Sequence, residues 1–280
     1  MMNSVRSAAR WILWACLLPA GVAMAQENSP VIFSEDFESG TLDKWDDDSI
    51  KQDPKRLALV RDASEVFRGK VSVKITALPG EGTGGKLNKW FLPGYDRVYA
   101  RFYCKFAEDF DQGNHMHFVH LLANRWDNKW SAFGKAGLRP AGNDFFTTGL
   151  EPWRDWGRNP PPGAWMLYTY HMDMPIDSKM GKYWGEMMRP EVKAPAERGR
   201  WICMEFMIKA NTPGQADGEE AFWIDGKPAA RFTGIRWRTD ARLQVNDFWL
   251  MLYVHQCTQV NRVWFDDVVI SREYIGPIKD

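Results

Sequence analysis

The stretch Phe248-Trp-Leu-Met-Leu-Tyr-Val-His255 decides the fold class of this 280-residue chain. Leu250, Leu252 and Val254 alternate with residues that are aromatic, sulfur-containing or polar. Because successive side chains of a β-strand point to opposite faces, this period of two predicts a strand with one face in the core. The opposite face then carries Trp249, Met251, Tyr253 and His255.

Other segments alternate in the same way, namely Val71-Ser-Val-Lys-Ile-Thr76, Val98-Tyr-Ala-Arg-Phe-Tyr-Cys-Lys-Phe106 and Trp201-Ile-Cys-Met-Glu-Phe-Met-Ile-Lys209. Turn residues separate these segments, and Ile224-Asp-Gly-Lys227 is typical of a tight hairpin. Convincing helical periodicity is almost absent. The pattern predicts an all-β protein with an antiparallel β-sandwich. No repeat or composition shift divides it, so we predict a single domain over residues 26–280.

The N-terminus has the pattern of an export signal. Arg6 and Arg10 precede an apolar run, and Ala23-Met-Ala25 is a small-residue cleavage pattern. The run is too short for a membrane span of about 20 apolar residues. We therefore predict a signal peptide over residues 1–25 and a periplasmic or extracellular protein without a membrane span.

Charge and cysteine content narrow the class of protein further. The chain has 36 Lys and Arg residues together and 36 Asp and Glu residues together. It therefore lacks the basic excess that would indicate nucleic-acid binding. Cys104, Cys203 and Cys257 remain after signal removal, and this odd number allows at most one disulfide in an oxidising compartment. We expect a monomer without an organic cofactor.

All five histidines lie in three short segments, His115-Met-His117-Phe-Val-His120, Tyr168-Thr-Tyr170-His171 and Tyr253-Val-His255-Gln256. Histidines beside tyrosines on separate strands can form a polar face for proton transfer or binding. Strand parity places His120 in the core and turns His171 away unless a bulge intervenes. The candidates for the open face are His115, His117, Tyr168, Tyr170, Tyr253 and His255.

Sugar binding is the favoured use of such a face, because aromatic rings stack on sugar C–H groups while polar groups bind hydroxyls. Arg101 and Tyr103 face away from the core of their strand, and we expect them on the same curved sheet. Residues 149–162 and 177–200 are predicted to be long loops, which often carry function. Their tryptophans, Trp153, Trp156 and Trp184, are the predicted sugar platforms.

Three segments resemble a known group of proteins: Ile32-Phe-Ser-Glu-Asp-Phe-Glu-Ser-Gly40, Trp201–Lys227 and Val263-Trp-Phe-Asp-Asp-Val-Val-Ile270. They look like exported jelly rolls of the concanavalin A-like lectin and glucanase type. Within that group the chain is similar to polysaccharide lyases of the glucuronan-lyase and alginate-lyase kind. The resemblance implies a jelly roll that cleaves an acidic, uronic-acid-containing polysaccharide by β-elimination. Tyr168 with Tyr170, and Tyr253 with His255, resemble polar residues of such lyases.

β-Elimination requires three kinds of group. A cation or hydrogen-bond donor must neutralise the uronate carboxylate, a task suited to Arg101, His115 or His117. A base must remove the adjacent proton, and an acid must protonate the leaving oxygen. We assign His117 or His255 as base or carboxylate partner and Tyr168 or Tyr170 as proton donor, with Tyr253 in support.

Other interpretations remain open. A non-catalytic carbohydrate-binding protein would use the same face, whereas a glycoside hydrolase is less well supported because the Glu-x-Asp-x-x-Glu run of jelly-roll glucanases is absent. The His115-Met-His117 pair also permits copper or zinc binding, but the sequence fixes no third ligand. Acidic residues near both termini, with Glu38 and Asp266 as candidate ligands, predict one structural calcium, as many related jelly rolls carry. Ordinary turn bonding by these acids is the alternative.

Overall fold

The protein is described here by a computed structural model covering residues 29–46, 53–80 and 83–279, so the predicted signal peptide lies outside the described residues. Within these ranges no helix is both long and apolar enough to cross a membrane. The described strands are β1 (Val31–Glu35), β2 (Leu57–Val60), β3 (Ser72–Ala77), β4 (Thr83–Tyr95), β5 (Arg97–Phe106), β6 (Met116–Asn124), β7 (Phe145–Trp153), β8 (Ala164–Tyr170), β9 (Glu186–Met188), β10 (Ile202–Lys209), β11 (Gly218–Ile224), β12 (Lys227–Ile235), β13 (Gln244–Val254) and β14 (Asn261–Ser271). A short 3-10 turn spans Ala63–Glu65.

The strands form two antiparallel sheets. Sheet A has the order β12-β11-β10-β5-β14-β3-β2, with β1 paired to β14. Sheet B has the order β4-β13-β6-β7-β8-β9. The crossovers between strands distant in sequence, such as β5 beside β14, are those of a jelly roll rather than a simple meander. The predicted all-β sandwich is confirmed.

The core lies between the sheets and is rich in aromatic residues. Phe102 of β5 and Phe265 of β14 face Phe118 of β6, with ring centroids 6.2 and 5.1 Å from the Phe118 ring. All three side chains are completely buried. Burying one side chain of this size contributes about 1.5–3 kcal/mol to stability, so this contact between β5, β14 and β6 helps to hold the two sheets together.

A buried polar contact also crosses the core. Glu220 of β11 in sheet A is fully buried, and both of its carboxylate oxygens lie 3.0 Å from the Thr169 hydroxyl of β8 in sheet B. The Thr169 hydroxyl lies 2.8 Å from that of Thr148 on β7. Burial raises the pKa of Glu220 to about 8, although hydrogen bonds from the two threonines oppose the rise. Glu220 therefore carries a proton at neutral pH and ties the inner faces of β7 and β8 to sheet A.

Strand β6 contains an irregularity that changes which residues face outward. Its pairing with β13 shifts register between Leu250 and Tyr253. Both Phe118 and Val119 pack in the core, so the alternation moves by one position at this point. His117 and His120 consequently share the outer face, as a β-bulge permits.

Two sequence predictions about the scaffold are wrong. Residues 149–153 are not loop, because β7 extends to Trp153 and pairs with β8 along this length. Strand β5, which carries Arg101, belongs to sheet A rather than to the sheet with the histidines. The three cysteines of the described chain, Cys104, Cys203 and Cys257, are buried free thiols.

Candidate active site

Four neighbouring strands of sheet B bring the polar outer face together. Trp249 pairs with His120, His120 pairs with Gly149, and Gly149 pairs with Tyr168. Gly149 is essential to this row, because a Cβ at this position would lie 2.6 Å from Cε1 of the His120 ring. The glycine therefore leaves the space in which the His120 ring lies flat on the sheet.

Five side chains form what we call the histidine–tyrosine cluster: His115, His117, Tyr168, Tyr253 and His255. The His117 ring is central, with centroid distances of 5.1 Å to His115, 4.8 Å to His255, 5.3 Å to Tyr168 and 5.9 Å to Tyr253. The backbone N–H of His255 donates to the carbonyl of His115 at 3.2 Å, which joins the end of β13 to the start of β6. The structure thus gathers residues from three sequence segments around one imidazole.

Glu151 of β7 lies beneath this cluster and is fully buried. Its Oε1 lies 2.8 Å from His115 Nε2, and its Oε2 lies 3.1 Å from His117 Nδ1 and 3.7 Å from His120 Nε2. Burial by itself opposes ionisation, but the charge of His117 and the hydrogen bonds from His115 and His117 hold the pKa of Glu151 well below its usual range. An ionised carboxylate only accepts, so the His115 and His117 nitrogens that face it carry protons.

Burial shifts the pKa values of two further members of the cluster, Tyr168 and His255. It raises the pKa of the Tyr168 phenol above its usual value, and neighbouring Tyr170 adds to the rise. It also lowers the pKa of His255 to about 4, an effect that His117 and His115 reinforce. At neutral pH, Tyr168 is therefore a phenol that can donate a proton, and His255 is a neutral imidazole that can accept one.

A cleft of about 190 Å³ opens beside the cluster. Tyr168 and Tyr170 line it together with His117 and His120. The Tyr170 hydroxyl accepts a long hydrogen bond of 3.4 Å from the N–H of Gly137, on the loop that covers this side of the sheet. The cleft therefore gives a small polar ligand access to His117 and both phenols.

Aromatic side chains continue from the cleft towards the edge of sheet B. The tryptophan track consists of Trp249, Phe133, Trp130 and Trp90, with successive ring centroids 5.8, 5.5 and 4.6 Å apart. Trp130 and Phe133 are 49% and 55% exposed, so their rings are open to a ligand. Lys86 lies 4.4 Å from the Trp249 ring, and Lys129 lies 4.2 Å from the Trp90 ring. Rings interspersed with ammonium groups suit a sugar chain that carries carboxylates.

The three predicted tryptophan platforms have different surroundings. Trp156 is 76% exposed, and its backbone N–H donates to the side-chain oxygen of Asn114, the residue before His115. Trp184 is half-buried, and its ring lies against Gly137 at the other side of the cleft. Trp153 is buried on β7 with its ring 4.8 Å from the Arg189 guanidinium, so it is no open platform.

The prediction that Arg101 and Tyr103 bind substrate at this face is wrong, because both lie on sheet A. Arg101 is buried and donates to the carbonyl of Asp267 at 2.9 Å. The Tyr103 hydroxyl accepts from the N–H of Ile278, and its ring stacks on Phe67 at 3.8 Å. Both side chains therefore fix the C-terminal segment and a loop on the far side of the sandwich.

The remaining two histidines, His120 and His171, lie in different surroundings. His120 is buried as predicted, but it lies on the outer face beneath His117 instead of in the core between the sheets. His171 follows the end of β8, and its Nε2 lies 2.7 Å from Glu186 Oε2 with its ring near Trp237. His171 is therefore outside the histidine–tyrosine cluster.

The predicted calcium ligands hold a loop in place. Glu38 Oε1 accepts the N–H groups of Lys70 and Val71 at 2.8 and 2.9 Å. Asp266 Oδ2 accepts those of Phe67 and Arg68 at 3.1 and 3.2 Å. These contacts join segments that are distant in sequence, so they differ from the local turn bonding that the sequence left as the alternative to calcium.

The sequence interpretation missed Glu151, the tryptophan track and the role of Gly149. Glu151 lies in the segment that is predicted to be a loop. Phe146 and Leu150 nevertheless face the core there, with residues of the opposite face between them. That alternation was the sequence pattern able to reveal Glu151. Trp130 and Phe133 come from a loop far from β13 in sequence, and no local pattern links them to Trp249.

The fold of this chain is similar to the folds of several polysaccharide lyases of known structure. An alginate lyase of Aplysia kurodai aligns with a TM-score of 0.65 and 12% identity, covering 88% of this chain and 99% of its own. The endo-β-1,4-glucuronan lyase of Trichoderma reesei aligns with a TM-score of 0.55 and 19% identity, covering 86% and 95%. Alginate lyase Aly36B, as a mutant bound to alginate tetrasaccharide, aligns with a TM-score of 0.56 and 17% identity, covering 74% and 82%.

No protein-family model matches the chain, and no curated protein sequence matches it. The chain therefore shares the jelly-roll fold of alginate and glucuronan lyases, as its sequence motifs predicted. Identities of 12–19% with these structures establish the fold alone.

Proposed function

We propose that this protein is an exported polysaccharide lyase that cleaves a uronic-acid-containing polymer by β-elimination on the outer face of sheet B. One observation carries the proposal: the histidine–tyrosine cluster sets imidazoles against a phenol, with the His117 and Tyr168 rings 5.3 Å apart beside an open cleft. This arrangement supplies a proton acceptor and a proton donor on the same side of a bound sugar.

His117 is the proposed base. Because Glu151 accepts from Nδ1 of His117, the neutral ring has its lone pair on Nε2, the nitrogen on the other side of the imidazole. Glu151 also fixes the orientation of the ring, in the way that a buried carboxylate orients the imidazole of a catalytic triad. His255 and His115 flank the base, and the N–H of the neutral His255 ring is the proposed hydrogen-bond donor to the uronate carboxylate, which stabilises the developing enolate.

Tyr168 is the proposed proton donor. Its phenol stays protonated because burial raises its pKa. As the bond to the leaving oxygen breaks, that oxygen becomes strongly basic and takes the phenolic proton. Tyr170 supports Tyr168 from the inner end of the cleft, and Tyr253 supports the His117 ring, which it overlies at 5.9 Å with nearly parallel planes.

The tryptophan track and Trp156 support an extended polymer as the substrate. Trp156 stands next to Asn114 at the His115 side of the cluster, and Trp249 begins the track at the His120 side. A chain that crosses the cluster can therefore rest on rings at both ends. Lys129 beside the track favours an acidic glycan over a neutral one.

The test is a panel of alginate, glucuronan and other polyuronates, read by the ultraviolet absorbance of the new double bond. We expect one polymer to give rising absorbance, and His117→Ala or Tyr168→Phe to reduce the rate by about 10²–10⁴-fold, the usual contribution of a general acid or base. Tyr103→Phe on sheet A is the matched control for the phenol and should retain the rate. Flat absorbance on every polyuronate would refute the lyase.

A carbohydrate-binding protein without activity is the second candidate, favoured by the two exposed rings of the track. It predicts that polyuronates slow the protein in affinity electrophoresis while absorbance and reducing ends stay constant. New reducing ends without a change in absorbance would instead indicate a hydrolase.

Export and a structural calcium complete the proposal. Among the described residues, Glu35 Oε2 and Asp267 Oδ2 are buried without a hydrogen-bond partner, and Glu35 pairs with the residue after Asp267. These oxygens and the carboxylates of Glu38 and Asp266 are the candidate ligands of a hard cation that would brace this end of the sandwich. We expect EDTA to lower the melting temperature and added Ca²⁺ to restore it, and an unchanged melting temperature would contradict the calcium. N-terminal sequencing of secreted protein, with residue 26 as the expected first residue, tests the signal peptide.

A further inference from the structure

We propose that His115, His117 and His255 form a binding site for a divalent transition-metal ion of the zinc class. Each of the three offers a ring nitrogen, and these nitrogens all lie within 4.8 Å of one another. The sequence suggested only the His115 and His117 pair, and the fold supplies the third ligand from the neighbouring strand β13. Three imidazoles suit zinc, copper, nickel or cobalt, whereas calcium and magnesium prefer oxygen ligands.

Glu151 provides the second observation. It is completely buried and accepts from Nε2 of His115 at 2.8 Å and from Nδ1 of His117 at 3.1 Å. The proton of each neutral ring is thereby held towards the carboxylate, and the lone pair lies on the other nitrogen, His115 Nδ1 or His117 Nε2. Metal-binding histidines are usually supported by a carboxylate in this way, which fixes the tautomer and makes the imidazole a better ligand.

His255 can complete the site with a small movement. Its backbone is tied to His115 by a hydrogen bond of 3.2 Å, so the two residues stay adjacent. Its ring now stacks on that of His115 with centroids 4.8 Å apart and planes within 9°. Because one side of the His255 ring is open to solvent, rotation about its side-chain bonds can turn a nitrogen towards an ion held by the other two rings.

His117, His120 and Glu151 form a second group of possible metal ligands, but this group is less suitable for binding an ion. His120 and Glu151 are buried, and both Glu151 oxygens already receive hydrogen bonds from His115 and His117. An ion there would have to displace those contacts inside the sheet. The three-histidine site instead opens to solvent through His255, which leaves a fourth position for water or another ligand, as in catalytic zinc sites.

This site also bears on catalysis, a point that rests on the proposed function. His117 would bind the ion through Nε2, the same nitrogen that is the proposed base, so a bound ion would block proton abstraction by His117. Metal binding itself requires no glycan, so it can be measured independently of lyase activity.

The experiment is calorimetric titration of chelator-treated protein with Zn²⁺, alongside Co²⁺ titration read by visible absorbance. We expect one ion per chain and the intense visible bands of a low-symmetry, four- or five-coordinate cobalt site. His255→Ala should abolish stoichiometric binding, and circular dichroism checks that this variant remains folded. Glu151→Gln should weaken binding by about 10–100-fold, the usual effect of removing a carboxylate partner.

His171→Ala is the matched control, since His171 is also paired to a glutamate but lies outside the cluster. It should bind the ion as the wild type does. Absence of stoichiometric binding to the wild type, or binding that survives in His255→Ala, would overturn the site. Failure of the lyase assay by metal-free protein that still binds the ion would refute the proposed function alone, and full lyase activity with the ion bound would refute the shared use of His117 Nε2.

Discussion

Replacing Glu220 with glutamine should remove a large part of the pH dependence of stability. Glu220 is buried between the sheets, and its raised pKa of about 8 means that the folded chain binds this proton more tightly than the unfolded chain. The contribution of Glu220 to the free energy of unfolding is therefore most favourable below pH 4.5, the ordinary pKa of a glutamate, and it declines as the pH rises towards 8. Glutamine stays neutral throughout and can still hydrogen-bond Thr169.

The size of the effect follows from the two pKa values. Each pKa unit corresponds to about 1.4 kcal/mol, so a shift from 4.5 to about 8 lowers the free energy of unfolding by roughly 5 kcal/mol between these two pH values. About 3 kcal/mol of this loss has occurred by pH 7. This is an upper limit, because the strands can relax to admit water around the charge. We expect Glu220→Gln to match the wild type within about 1 kcal/mol at pH 5 and to exceed it by about 2–5 kcal/mol at pH 8.

The assay is urea unfolding of both proteins at pH 5 and pH 8, followed by tryptophan fluorescence. Glu219→Gln is the control, because Glu219 is the preceding residue and pairs with Lys209 at 3.1 Å. Burial raises the pKa of Glu219, but Lys209 and Arg231 outweigh it and lower the pKa overall. Glu219→Gln should therefore lose up to about 1 kcal/mol at pH 8, the opposite sign. If wild type and Glu220→Gln lose equal stability between pH 5 and pH 8, the reasoning is refuted.

Other predictions concern the site and its surroundings. Gly149→Ala should displace the His120 ring and cost about 1–3 kcal/mol, measurable by calorimetry, and an unchanged melting temperature would contradict the close packing. The double variant Trp130→Ala, Phe133→Ala should bind polyuronate about tenfold more weakly in affinity electrophoresis, a loss of about 1.4 kcal/mol, without unfolding because both rings are exposed. Arg101→Met should lower stability yet leave glycan binding unchanged. Weakened glycan binding would show that Arg101 belongs to the binding site after all.

Local sequence pattern was sufficient for the strands and for several members of the site. Alternation along Phe248–His255 correctly assigned Leu250 to the core and Tyr253 to the open face, because the pleat of a strand is a property of the local backbone. The same rule placed His117 and Tyr168 outward. It failed at His120, because the irregularity beside Phe118 and Val119 shifts the parity and arises from pairing with another strand.

The sequence by itself determined an all-β chain, a jelly-roll resemblance and a set of histidines and tyrosines able to exchange protons. Only the tertiary structure decided which of them meet. Strand order sent Arg101 to sheet A and set β7 beside β6, which brought Glu151 under His115 and His117. Neighbouring strands in a jelly roll are often distant in sequence, so these contacts depend on which hydrophobic faces pack together across the whole domain.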